Sequence, residues 1–325
     1  MKRGLGIASS LLVAALIFSC GGGGGGGSSS TTYTGLMTPA VITDNNADDI
    51  ALAAYQGGDL AANTGLILAP AGSGAAPDAG ARPNAVTIAQ ALTKVAASAI
   101  RPAAAGPSLR VPFTDSGTTF DGFGGQFSYT ISGDANEQTG AGTFAGTFTF
   151  SNFHGDGGGL VNGTVGVSGQ VAQNQMHILF NFQAVQIDDG TSAVDASGTV
   201  DLTIDMNQSS DTGAVTLNMV FTDNFTQKMV WLSNYQVVNA VGIGYNDVTV
   251  AGRISLHDYG YVDVATPIPF RYLDGATHPE SGQMTATGSG GKGVRLTADS
   301  TTQATVEVDS DADGQYDDLT ITVSW

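Results

Sequence analysis

A chain of 325 residues with 42% apolar side chains is long enough to bury its own core, and a single cysteine, Cys20, excludes an internal disulfide framework. Eleven basic residues against 29 acidic ones leave a formal charge of −18, which opposes nucleic acid and anionic lipid head groups and suits divalent cations. Charged residues are only 12%, too few for a disordered polyacid, and 46 glycines among many Thr and Ser point to short strands and tight turns.

Residues 1–19 open with Lys2-Arg3 and continue into an apolar run from Leu11 to Phe18, a length that suits a secretory signal and falls short of a bilayer-spanning helix. Cys20 follows the small Ser19, and seven glycines, Gly21 to Gly27, then Ser28-Ser29-Ser30, make residues 20–36 a Gly/Ser-rich flexible tether. Ile17, Ser19 and Cys20 resemble the bacterial lipoprotein signal, with Phe18 bulkier than the residue usual at its position. The resemblance implies removal of residues 1–19, lipid (palmitate-type acyl chains) on the Cys20 thiol and, with Gly21 rather than Asp after the cysteine, sorting to the outer membrane. Loss of Lys2 and Arg3 with a segment that contains no acid would take the formal charge from −18 to −20. A stray cysteine after an ordinary cleaved signal and an uncleaved anchor are the alternatives.

Residues 37–109 are alanine-rich and read as helical or partly disordered. Thr43 or Asp44 is placed to cap a short helix, Asp48-Asp49 favour its positive end, and Gly57-Gly58 end it. Ile88, Leu92, Val95 and Ala99 recur at helical spacing over 85–100, with Pro102 beyond, whereas Pro70 to Pro83 has no periodicity and reads as a loop. An alanine-rich spacer without stable tertiary structure is the competing reading, because alanine gains little from burial.

Over 110–325 the period changes to two. Phe127, Tyr129 and Ile131 share a face, as do Phe144, Phe148 and Phe150; Val161, Val165 and Val167; Met176, Ile178, Phe180 and Phe182; Val200, Leu202, Ile204 and Met206; and Val215, Leu217, Met219 and Phe221. Further strands are expected over 231–238, 248–256, 260–264, 284–287, 294–298, 305–308 and 319–325. Asn162-Gly163-Thr164-Val165, Ser197-Gly198-Thr199-Val200 and Ser281-Gly282-Gln283-Met284 read as a loose repeat marking strand entry. The expected fold is mainly β, one large antiparallel meander as a curled sheet, half-barrel or two-layer sandwich. Leu319, Ile321, Val323 and Trp325 resemble the C-terminal assembly signal of outer-membrane barrels, which keeps an integral barrel as an alternative.

Asp309-Ser310-Asp311-Ala312-Asp313-Gly314-Gln315-Tyr316-Asp317-Asp318 carries carboxylates at alternate positions before a glycine. Calcium takes six to eight hard oxygen ligands, so Asp309, Asp311 and Asp313 can wrap one ion, Gly314 allows the turn, Gln315 offers its carbonyl and Asp317 closes the shell. The loop resembles those of dockerin and thrombospondin type 3 repeats; Thr320 stands where an EF-hand has its bidentate Glu. A solvated acidic turn is the alternative.

His154, His177, His257 and His278 are isolated in sequence, and His257-Asp258 in a strand would point to opposite faces. Tyr259, Tyr261 and Tyr272 near Pro267 and Pro269 belong either to the core or to a ligand surface. The chain resembles bacterial glycine-tethered lipoproteins with a β-rich exported domain, a resemblance that carries no activity. It implies a non-enzymatic binding or structural module held to the outer membrane through Cys20, facing the periplasm or the surface, with calcium in its last hairpin. The alternatives are a periplasmic carrier or chaperone for an apolar ligand and a surface hydrolase.

Overall fold

The computed structural model describes residues 31–55, 110–121, 123–136, 141–154, 160–172, 175–188, 193–205, 212–276 and 278–324. Residues 1–30 with Cys20, the helix expected over 85–100, the loop from Pro70 to Pro83, Met206 and Trp325 lie outside them.

Fourteen strands follow one another in space as they do in sequence, and all neighbouring pairs are antiparallel in one curled sheet. They are β1 Arg110–Phe120, β2 Gln126–Asn136, β3 Gly142–His154, β4 Leu160–Ala172, β5 Gln175–Asp188, β6 Ala193–Asp205 and β7 Thr212–Asp223, then β8 Met229–Val241, β9 Tyr245–Leu256, β10 Gly260–Leu273, β11 Ser281–Thr287, β12 Gly293–Ser300, β13 Gln303–Asp309 and β14 Leu319–Ser324. The alternation of apolar and polar residues decides the faces. Phe148, Val165, Phe180, Val200, Leu217 and Val237 are buried on the concave side, and Thr147, Ser168, Asn181, Thr199, Thr216 and Gln236 alternate with them on the outer side. That outer side also carries Arg253, Arg271 and Arg295, paired with Asp263, Asp247 and Glu307 and stacked on Tyr261, Tyr245 and Tyr316. A membrane-spanning barrel has the opposite arrangement, with an apolar outward band.

The small-residue repeat marks a strand entry at Ser281, where β11 begins, but its other two members, around Gly163 and Gly198, mark bends inside β4 and β6. Gly163 in β4, Gly198 in β6, Gly252 in β9 and Gly282 in β11 all have positive φ. Opposite or beside them the register slips, between Phe150 and Phe153 in β3, Phe182 and Val185 in β5, and Ser233 and Gln236 in β8. Asn152, Ala184 and Asn234 occupy these slips with positive φ, and the Asn152 and Asn234 N–H groups donate to the side-chain oxygens of Asn162 and Asn218 at 2.7 and 2.8 Å. A row of bulges therefore runs across the sheet, and bulges bend strands and increase their twist. This is the local cause of the curl.

β10 extends nine residues past the expected end at Val264, through Pro267 and Pro269. Proline removes a ladder donor, and the strand accommodates both where its register to β9 is broken between Val262 and Phe270. Thr266 bridges the break with its hydroxyl, which accepts from Val250 N–H at 2.9 Å and donates to Val250 C=O at 2.8 Å.

Residues 31–36, assigned by composition to the tether, are already docked. Ser197 donates to the Thr31 hydroxyl at 3.0 Å, and the Tyr33 ring lies 5.7 Å from that of Trp231, both on the outer face of the sheet. Burial comes first in pushing the Tyr33 phenol up to about 12, followed by the charge of Asp258. The chain then crosses the rim: Leu36 N–H donates to His257 C=O, residues 38–40 pair with Tyr261, and Ser289 N–H donates to Ala40 C=O at 2.7 Å. Ala40 and Ile42 are fully buried on the concave side.

Helix α1, over 47–55, follows. Thr43 opens it, its carbonyl accepting from Asn46 and Ala47 N–H, while Asn46 Oδ1 reaches back to Thr43 N–H at 2.8 Å, one half of a capping box. Ala47, Ile50, Ala51, Ala54 and Tyr55 are buried against the strands, as expected of a helix that is apolar on most sides. Tyr235 donates to Ala54 C=O at 2.9 Å, the Tyr55 and Tyr272 hydroxyls meet at 3.0 Å, and Tyr259 donates to Asp49 at 2.8 Å. The described part of the alanine-rich segment thus shares one core with the sheet.

Candidate functional site

Asp309 ends β13 as a buried carboxylate, 3% exposed, and the loop folds over it: its two oxygens accept from Ala312 N–H at 2.7 Å and Gly314 N–H at 3.0 Å. Ala312 and Gly314, both with positive φ, turn the chain there. From the other end of the loop Asp318 Oδ2 accepts from Ser310 N–H at 2.6 Å, Ser310 Oγ at 2.9 Å and Asp311 N–H at 3.2 Å. The Ser310 bonds above all, then Asp311 N–H and the charge of Lys292, hold the Asp318 carboxyl below its ordinary range against some desolvation.

Among the described residues, oxygens of Asp309, Asp311 and Asp318 lie within 4.8 Å of one another. Oxygens bound to one calcium at about 2.4 Å are separated by no more than about twice that distance, so the trio fits a shared ion. The trio differs from the set expected from spacing. Asp318 takes the place foreseen for Asp317, and Asp313 and Asp317 stand outside the group; Asp313 instead accepts from Gln315 N–H at 2.7 Å. Spacing along the chain fails as a guide here because 310–318 is a succession of bends and irregular chain, whose path decides which carboxylates converge.

The histidines acquire partners distant in sequence. Asp121, in the β1–β2 connection, has a side chain 2% exposed and accepts from Phe123, Gly125 and His154 N–H, while His154 Nδ1 lies 2.7 Å from its Oδ2. Burial pushes the Asp121 carboxyl up, and these hydrogen bonds, His154 foremost, outweigh it and hold the group well below the ordinary carboxylate range. A depressed folded-state pKa contributes stability that is present above the unfolded value near 4 and is lost as pH falls through the folded value. Asp121→Asn is therefore expected to melt lower than wild type at neutral pH, with the gap narrowing below about pH 4; a gap independent of pH would mean that the carboxylate charge is not what holds the clasp.

His177 Nε2 lies 2.6 Å from Asp201 Oδ1 on the outer face. A shallow groove of 440 Å³ beside it is lined by Ser132, Thr143, Ser168, Gln170, His177 and Leu179. No local spacing foretells either pair: the β5–β6 register brings His177 to Asp201, and the β1–β2 connection carries Asp121 to the end of β3 at His154. His257-Asp258 proves to lie in the β9–β10 turn rather than in a strand, and Asp258 pairs with Lys228. Burial lowers the pKa of His278. The tyrosines near the two prolines serve the fold: Tyr272 and Tyr259 hold α1, with the Tyr259 phenol pushed up to about 12 by burial and then Asp49, and Tyr261 lies under Arg253.

Fold and site together define an open antiparallel meander, filled from its concave side by its own N-terminal segment, with an acidic loop in the last hairpin. Comparison with protein-family models, curated proteins and solved structures finds no match to the chain.

Proposed function

We propose that the chain is an outer-membrane-anchored lipoprotein serving as a non-enzymatic binding or structural module of the cell envelope, with calcium closing its last hairpin loop. The observation that carries this reading is the filled body with a polar outer face, docked from Thr31 onwards only eleven residues after Cys20. The ten residues Gly21 to Ser30 span at most about 35 Å, enough to let an acidic body stand clear of head groups. Metabolic labelling with a fatty acid tests the anchor. Label is expected in wild type and absent in Cys20→Ala; equal labelling of both removes the foundation of the proposal.

For the loop, Asp309, Asp311 and Asp318 are the residues that would hold the ion, which would relieve their mutual repulsion and stiffen the hairpin. With affinity in the range of extracellular calcium modules, millimolar calcium is expected to raise the melting temperature by about 3–6 °C. Asp309→Ala should abolish the rise. An unchanged wild-type melting temperature at millimolar calcium leaves the loop as an acidic turn.

A further inference from the structure

Among the described residues the sheet has two edges, β1 and β14, and they differ in kind. β1 carries Pro112, which cannot donate to a ladder, and Asp115, which occupies the concave face and is bound by the Tyr129 hydroxyl at 3.2 Å. Proline and inward-pointing charge are the devices by which natural sheets block their edges. β14 has neither. Its sequence Leu319-Thr320-Ile321-Thr322-Val323-Ser324 contains no proline, glycine or charge, and its register to β13 runs unbroken from Gln303↔Ser324 to Val308↔Leu319. Leu319, Ile321 and Val323 pack on the core yet remain only half-buried, and nothing among the described residues pairs with the far side of the strand. Alternate backbone N–H and C=O groups there point away from β13.

We propose that β14 pairs antiparallel with β14 of a second copy of this chain, joining two sheets about a two-fold axis at Ile321. The strand is self-complementary in that register. Ile321 meets Ile321 of the second copy, Leu319 meets Val323, and Thr320 meets Thr322, so apolar positions face apolar and hydroxyls face hydroxyls. A shift by one residue would set apolar against polar along the whole ladder. Within the ladder itself no like charges meet: Asp318 falls opposite Ser324 of the second copy, which places the two Asp318 carboxylates about 20 Å apart, beyond two Debye lengths at physiological salt. Because β1 is blocked, the free edge cannot propagate head to tail, and the assembly closes at two copies. A six-residue ladder buries less than a standard interface, so the dimer is reversible and its population depends on concentration.

The test is sedimentation velocity over a concentration series on the full chain carrying Cys20→Ser, which removes acyl chain and thiol together. Wild-type β14 is expected to give a concentration-dependent dimer. Thr320→Lys with Thr322→Lys sets like charges directly opposite across the axis and should weaken the dimer at least tenfold while leaving the melting temperature within about 2 °C. Ile321→Cys should form an intermolecular disulfide on oxidation and Ser324→Cys should not, since only residue 321 meets its own copy. A monomer at all concentrations overturns the proposal, including a monomer whose β14 amides are protected from hydrogen exchange, which would mean that another part of the same chain covers the edge. A dimer indifferent to the lysine pair, or cross-linked equally through both cysteines, overturns the register.

Discussion

Gly260→Ala is expected to lower the melting temperature by about 6–12 °C, the consequence of roughly 3 kcal/mol lost at the rim crossing. Gly260 has φ +92°, and a Cβ there would fall onto the Thr38 carbonyl oxygen, which accepts from Tyr261 N–H. Alanine thus meets two obstacles, a backbone conformation that side chains disfavour and a strap, residues 38–40, that has to lift. Two other glycines separate them. Gly275 has φ +78° with open space for 4 Å around the place a methyl group would take, so Gly275→Ala reports conformational strain alone, about 1 kcal/mol. Gly288 lacks positive φ, but its Cβ would meet Ala40 C=O, so Gly288→Ala reports displacement of the strap alone. Trp231 fluorescence should change in the Gly260 and Gly288 variants, because lifting 38–40 frees Tyr33 from the indole. If Gly260→Ala behaves as Gly275→Ala does, the strap is not wedged at the rim.

The contrast between strap and strands shows what kind of information local sequence holds. Period-two alternation reports which face of a strand is buried, and it suffices to place Phe148, Val165, Phe180 and Leu217 in the core. The glycine repeat is equally visible. Its meaning is not, because a positive φ opposite a bulge leaves the same residue types as a strand start; for Gly163 and Gly198 only the register to β3 and β5 distinguishes them. Tyr33 illustrates the converse. An aromatic ring among Thr and Gly, with Leu36 after it, is the sign that residues 31–36 belong to the body, and composition averages it away. Likewise Asp317 and Asp318 are adjacent and chemically identical, so choosing between them needs the path of the loop, and both His–Asp pairs join residues 24 and 33 positions apart.

Ile50→Ala addresses whether α1 is part of the core or a plug that can leave. Ile50 is fully buried, and truncation of such a side chain costs about 2–5 kcal/mol when the cavity does not collapse, which corresponds to a fall of roughly 4–20 °C. Tyr235→Phe should cost less, about 1–3 kcal/mol, by leaving the Ala54 carbonyl buried without its donor. Both variants are expected to unfold in one transition at lower temperature, because α1 and the strands share a single apolar cluster. A carrier for an apolar ligand requires a different outcome. The helix would then have to vacate the concave side at modest cost, Ile50→Ala would leave the main transition in place while adding an early one, and wild type would take up an apolar dye. Since Ala40, Ile42, Ala47, Ile50, Ala51 and Ala54 already occupy that side with no exposed surface, the chain supplies the filling that a carrier would reserve for its cargo.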